Sequence, residues 1–222
     1  MNFSQDWDQR YRANTHLSIW PWSDLVSYVM RYARPQSSDF RVLELGCGAG
    51  ANIPFFNKLG VQYYAIEGSP HIVEQLQTTY PDLHSRIVAG DFTLDLPFDG
   101  TFDLVVDRSA LTFNTTTAIQ QSLGQVYAKL KPGGAFIGID WYSTQAAEYQ
   151  RGEPTEDPYT RTHYTEGPFA HTGRVHFSDK PHLLNLFHQF EITILEHKLL
   201  QREIPQDGFS LATWNLVAKK AL

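Results

Sequence analysis

From residue 40 onward, the apolar side chains alternate between short continuous runs and sets with helical spacing. Phe40–Leu45, Gln62–Ile66, Ser85–Ala89, Phe102–Asp107 and Ala135–Asp140 predict five strands, being short apolar runs bounded by turn residues. Asn52–Leu59, Pro70–Tyr80 and Thr115–Leu130 lie between them and read as helices. Such alternation predicts parallel βαβ units and a sheet covered by helices on both faces. The pattern changes near the end. Lys180–Phe187 reads as a helix, and then Phe190–His197 and Leu211–Ala218 are two strands with Pro205-Gln206-Asp207-Gly208 between them and no helix. That pair is expected to be antiparallel, which makes seven strands in all.

Two segments stand outside this rhythm. Ser23 is placed to cap a helix running to about Ala33, with Leu25, Val26, Val29 and Met30 on one face and Arg34-Pro35 ending it. Ahead of it, Trp7, Tyr11, Trp20 and Trp22 are interleaved with Asp6, Asp8, Arg10 and Arg12. Trp20 and Trp22 are expected to plug the sheet edge, whereas Trp7 and Tyr11, flanked by charge, suit a flap. Residues 141–178 follow neither period and hold His163, His171 and His176. A loop of that length inside a compact domain is expected to be a lid or binding segment. One domain over 1–222 is expected, with 1–37 as a cap and 141–178 as an insertion.

Composition narrows the partners. Hydrophobic residues make up 42% of the 222 and charged residues 19%, which is globular. A formal charge of −6, from 18 basic and 24 acidic residues, argues against broad attraction to nucleic acid or an anionic membrane. No apolar run approaches a bilayer span, and the start, MNFSQDWDQRY, has no signal-peptide core. With Cys47 as the single cysteine, the expected compartment is the reducing cytoplasm.

The chemistry concentrates at VLELGCGAGANIPFF, Val42–Phe56. Gly46, Gly48 and Gly50 remove side chains where a ligand must touch backbone, and the helix that follows offers free N–H groups. Glu67 ends the second strand, where a carboxylate can accept both ribose hydroxyls. Read as G-x-G-x-x-A, ending at Ala51, the turn suits a dinucleotide. Read as E-x-G-x-G-x-G from Glu44, it suits S-adenosylmethionine. Glu44 would repel a pyrophosphate but could orient the turn or face a cationic amino group. Asp91 and Phe92, after the third strand, could accept from and flank an adenine.

Taken together, VLELGCGAG, AIEGS, GDF and LKPGG resemble the class I S-adenosylmethionine-dependent methyltransferases over about residues 38–140. The resemblance implies a Rossmann-like α/β fold with a seven-stranded, mostly parallel sheet and S-adenosyl-L-methionine as cofactor. Gly46, Gly48 and Gly50 would line its methionine and ribose side, Glu67 would hold the ribose, and Asp91 with Phe92 would frame the adenine. Asp107 would face the methyl donor or acceptor, and Tyr11 would close over the cofactor. Asp107-Arg108-Ser109-Ala110-Leu111 is unlike the NPPY sequence of nucleic-acid amino methyltransferases. It is similar to the D-R-G-A-L stretch of thiopurine and thiol methyltransferases, with Ser109 in place of glycine.

A small-molecule methyl acceptor is therefore expected, the alternatives being a NAD-dependent oxidoreductase and a module that binds the cofactor without transfer. A proton must be removed only if the acceptor is a hydroxyl, thiol or protonated amine. His163, His171 and Asp107 are the candidate bases, histidine leading because it titrates near working pH. His163, His171 and His176 match no metal-ligand spacing, so no metal is expected. Arg108 reads equally as a clamp for an anionic acceptor or as a carboxylate's partner. Cys47 reads as a small residue in a tight turn.

Overall fold

In the computed structural model, which describes residues 5–13, 15 and 17–222 and the side chains of all of these but Gln5 and Asp6, seven strands form one sheet. They are β1 (Arg41–Leu45), β2 (Gln62–Glu67), β3 (Ile87–Ala89), β4 (Phe102–Arg108), β5 (Leu130–Tyr142), β9 (Glu191–Gln201) and β10 (Ser210–Lys219), in the order β3-β2-β1-β4-β5-β10-β9. The first five pair in parallel. β10 runs antiparallel to both β5 and β9, so the expected reversed pair closes the sheet.

Burial on both faces explains why the strand runs are continuous rather than alternating. In β1, Val42 joins the core under α2 (Ser23–Tyr28), α3 (Ile53–Leu59) and α4 (Pro70–Thr79). Leu43 and Leu45 face the opposite core, shared with α5 (Thr116–Lys129) and α7 (Lys180–Leu186). Ser69, Thr115 and Asp179 cap α4, α5 and α7 through side-chain oxygens.

Three expectations need correction. Ser23 is the first helical residue rather than the cap; Trp22 holds the cap position without a side-chain bond, and the helix continues as a π-helical turn over Val29–Ala33. The polar start, expected only as a flap, is helical: α1 (Gln5–Arg12) packs on α4, a charge-rich element whose order comes from tertiary partners rather than from an apolar period. Segment 141–178 is not a bare loop. It holds α6 (Ala147–Arg151) and a small antiparallel sheet of β6 (Glu153–Pro154), β7 (Thr160–Thr162) and β8 (Val175–His176). These elements are too short to show a period, and they close over their own core of Tyr164, Phe169, Val175 and Phe177. Among the described residues no helix is long and apolar enough to cross a membrane.

Candidate active site

β1 and β4 lie side by side at the centre of the sheet while their following helices cover opposite faces, so a crevice opens beyond their carboxyl ends. A cavity of about 650 Å³ occupies it, walled by the glycine turn, the ends of β2, β4 and β5, α1, α6 and the β9–β10 hairpin. That volume lies within the range of ligand sites.

The glycine turn forms the floor. Gly46 and Gly48 hold φ of +63° and +51°, in the left-handed region. A Cβ on Gly46 would lie 2.3 Å from that of Ala110, and one on Gly48 would lie 3.1 Å from the Tyr11 hydroxyl. Gly50, expected to line the ligand, does not. It faces Leu76 and Ile53, and its lack of a side chain serves helix packing. Cys47 lines the cavity, but burial pushes its thiol well above the ordinary value, so it stays neutral.

Two carboxylates tie the turn down. Glu67 accepts the Gly48 N–H at 2.9 Å and the Ser69 N–H at 3.0 Å, and burial raises its pKa against those bonds. Glu44 accepts from Asn52 Nδ2 at 2.8 Å and from the Tyr63 hydroxyl at 2.5 Å. Burial takes it up to about 7. Both residues line the cavity. Asp91 lines it too, folding an Asx turn through the Thr93 N–H at 2.9 Å, and Phe92 lies beside it.

Tyr11 and Trp7 roof the site from α1. Arg10 fastens that helix to the insertion, donating from Nε to the His171 carbonyl at 3.2 Å and from its guanidinium to the Ala170 carbonyl. Asp8 accepts from Ser69 on the other side, and that bond lowers its pKa. Trp22 lines the cavity instead of plugging an edge, and Trp20 is 76% exposed. The Arg108 guanidinium stacks on Trp22 at 3.5 Å and pairs with Asp140 at 3.1 Å, which favours the carboxylate-partner reading of this arginine. Asp140 also accepts from Lys198 at 2.9 Å.

The three candidate bases are not brought to the cavity. His163 is exposed and pairs with Glu153 at 3.3 Å; its backbone and that of His171, both at φ +58°, turn surface bends. Asp107 is wholly buried, accepting the Leu111 N–H at 3.0 Å and Trp141 Nε1–H at 2.7 Å. It therefore holds the turn that presses Ala110 onto Gly46 and does not face a ligand. Ser109 sits in that turn at φ +60°, which explains the glycine in the similar D-R-G-A-L stretch, and its hydroxyl donates to the Asp140 carbonyl at 2.6 Å.

Sequence reasoning missed the far wall. Phe113, Tyr142 and Phe169 line it together with Glu148 and Leu211. Trp7, Phe113, Tyr142 and Phe169 make a chain of edge-to-face contacts with centroids 4.8, 6.1 and 4.7 Å apart. The available signal was the aromatic share of 14%, which carries no positions.

Residues 42–134 match the methyltransferase-domain family. The chain is 34% identical over 134 residues to the cypemycin N-terminal methyltransferase of a Streptomyces species, covering 59% of this chain and 52% of that protein. It is 32% identical over 130 residues to mRNA cap guanine-N(7) methyltransferase 1 of Arabidopsis thaliana, covering 50% and 34%. The chain thus spans about half or less of the length of these relatives. Among solved structures, 1,6-didemethyltoxoflavin-N1-methyltransferase of Burkholderia thailandensis, with its heterocycle and S-adenosylhomocysteine bound, superposes with a TM-score of 0.63. It covers 98% of this chain and 84% of its own at 17% identity, a likeness of fold.

Proposed function

We propose that this chain is a class I S-adenosylmethionine-dependent methyltransferase that methylates a small-molecule acceptor enclosed beside the cofactor by α1 and the 141–178 insertion. The carrying observation is one cavity with two unlike halves. One is the cofactor cradle of Gly46, Gly48, Glu67, Asp91 and Phe92; the other is the aromatic wall from Trp7 to Phe169.

The residues fit the cofactor. Glu67 spends its backbone bonds on holding the turn and retains lone-pair capacity for ribose hydroxyls. Phe92 offers an apolar flank for adenine, with the Asp91 carboxylate beside it. Bound S-adenosylmethionine supplies a methyl group already activated on a sulfonium, so the protein's work is alignment and exclusion of water. Tyr11 and Trp7 supply the exclusion. The relatives' names carry three different acceptors, so the acceptor class is argued from the cavity alone. The chamber is bounded on several sides, which favours a compact molecule over a polymer threaded through, and the single free thiol Cys47 supports a cytoplasmic setting.

Calorimetric titration with S-adenosylhomocysteine and, separately, NAD tests this reading. We expect the thioether nucleoside alone to bind, and Glu67→Ala to weaken it by about 1.5–3 kcal/mol, the worth of charge-assisted hydrogen bonds. Binding of NAD instead would return the glycine turn to its dinucleotide reading.

A further inference from the structure

We infer that the acceptor presents an amine, received by Glu148 and the aromatic wall of Trp7, Phe113, Tyr142 and Phe169; this rests on the methyltransferase reading above.

Glu148 projects from α6 and is 5% exposed. Its Oε1 lies 3.6 Å from the Arg151 guanidinium, which is itself mostly in solvent. Its Oε2 is buried without a hydrogen-bond partner among the described residues. An unpartnered buried carboxylate oxygen is costly, and natural structures rarely keep one without a use. Glu148 also lines the cavity, so a donor filling that side of it comes to lie beside the residue.

The surroundings select the kind of donor. Phe113, Tyr142 and Phe169 line the same chamber as the Trp7 indole and meet edge to face. Rings grouped in this way attract cations through their negative faces, more strongly once water is excluded. The charge of the wall points the same way. Among the described lining residues Glu67, Asp91 and Glu148 are carboxylates and Glu44 is a carboxyl group raised to about 7, against the single cation Arg108, which Asp140 pairs together with Lys198. Such a cavity concentrates cations and repels carboxylates and phosphates. A hydroxyl could donate to Glu148 but would gain nothing from the rings or from the field.

The chemistry balances. The ammonium gives one proton to the Glu148 carboxylate; the freed nitrogen lone pair forms the N–C bond as the C–S bond breaks and sulfur keeps its electron pair. The product is a methylated ammonium, and Glu148 returns its proton to solvent when the cavity opens. This places Glu148 in the role for which His163, His171 and Asp107 are badly sited.

The test uses matched pairs, phenethylamine with 2-phenylethanol and butylamine with 1-butanol, titrated calorimetrically into protein saturated with S-adenosylhomocysteine. We expect at least one amine to bind tenfold or more tighter than its alcohol. Glu148→Gln should narrow that gap severalfold by weakening the amine while leaving the alcohol and S-adenosylhomocysteine unchanged. Absence of amine preference in both wild-type pairs overturns the inference without recourse to any variant, and so does a gap that is undiminished in Glu148→Gln. Saturation with S-adenosylhomocysteine is measured first in the same cell. Failure there removes the methyltransferase reading and this inference together, whereas binding there without amine preference removes the inference alone.

Discussion

Two buried carboxyl groups, Glu44 and Asp107, give the site its residue-scale chemistry, and burial raises each to about 7. A carboxyl group whose folded value lies above its unfolded one is favourable while protonated. Its contribution is fully present below the ordinary carboxyl range and is lost as pH climbs toward about 7. Glu44→Gln removes that titration. We therefore expect the stability of the variant relative to wild type to improve between about pH 4.5 and 7, by up to about 3 kcal/mol. Urea midpoints measured across that window check it, and parallel curves for the two proteins would refute the assignment. Asp107→Asn acts differently. Two N–H donors, from Leu111 and Trp141, converge on the carboxylate, and an amide offers them one acceptor oxygen and one clashing donor. The expected loss is about 1–3 kcal/mol of unfolding free energy, the cost of an unmet buried donor. An unaffected midpoint would mean the turn does not depend on it.

At the scale of elements, α1 and the insertion matter most, because they are latched to each other and not to the sheet alone. Arg10→Ala removes the link from α1 to the His171 and Ala170 carbonyls. If α1 is a flap, S-adenosylhomocysteine should dissociate roughly three- to tenfold faster, the equivalent of one partly exposed charge-assisted bond. Stopped-flow tryptophan fluorescence reads that rate directly, with Trp7 in the roof as reporter, and an unchanged rate would make α1 mere packing. These same elements mark where the sequence became illegible. The sheet strands were readable because burial on both faces leaves uninterrupted runs such as Val42–Leu45, and the cofactor cradle because Gly46 and Gly48 must adopt left-handed backbone. α1 is polar and the insertion's strands are two or three residues long, so neither has a period to detect. Histidine chemistry suggested His163 and His171 as bases, but residue type carries no direction, and both sit on surface bends. Glu148 left no local trace; its significance lies in a missing partner, a property of packing.

For the whole molecule, the strand order places β1 and β4 together at the centre, so that the glycine turn and Arg108 come to one crevice from positions 60 residues apart in the chain. α1 from one end of the chain and the β9–β10 hairpin from the other meet around that crevice. The wall is consequently shared by segments that must all be in place at once, and a ligand filling it should stabilise the fold globally. S-adenosylhomocysteine at one hundred times its Kd would add about 2.7 kcal/mol. In a chain of this size that corresponds to a rise of roughly 5–11 °C in Tm. The rise should shrink for Glu67→Ala at the same concentration, because the Glu67 carboxylate holds the Gly48 N–H in the cradle. It should also shrink for Arg10→Ala, which loosens the roof while leaving the cradle intact. A differential scan of the three proteins distinguishes these cases, since loss in both variants requires cradle and roof to act on one ligand. An undiminished rise in Arg10→Ala would show that the cofactor is held by the sheet ends alone, and that α1 belongs to the acceptor's side of the cavity.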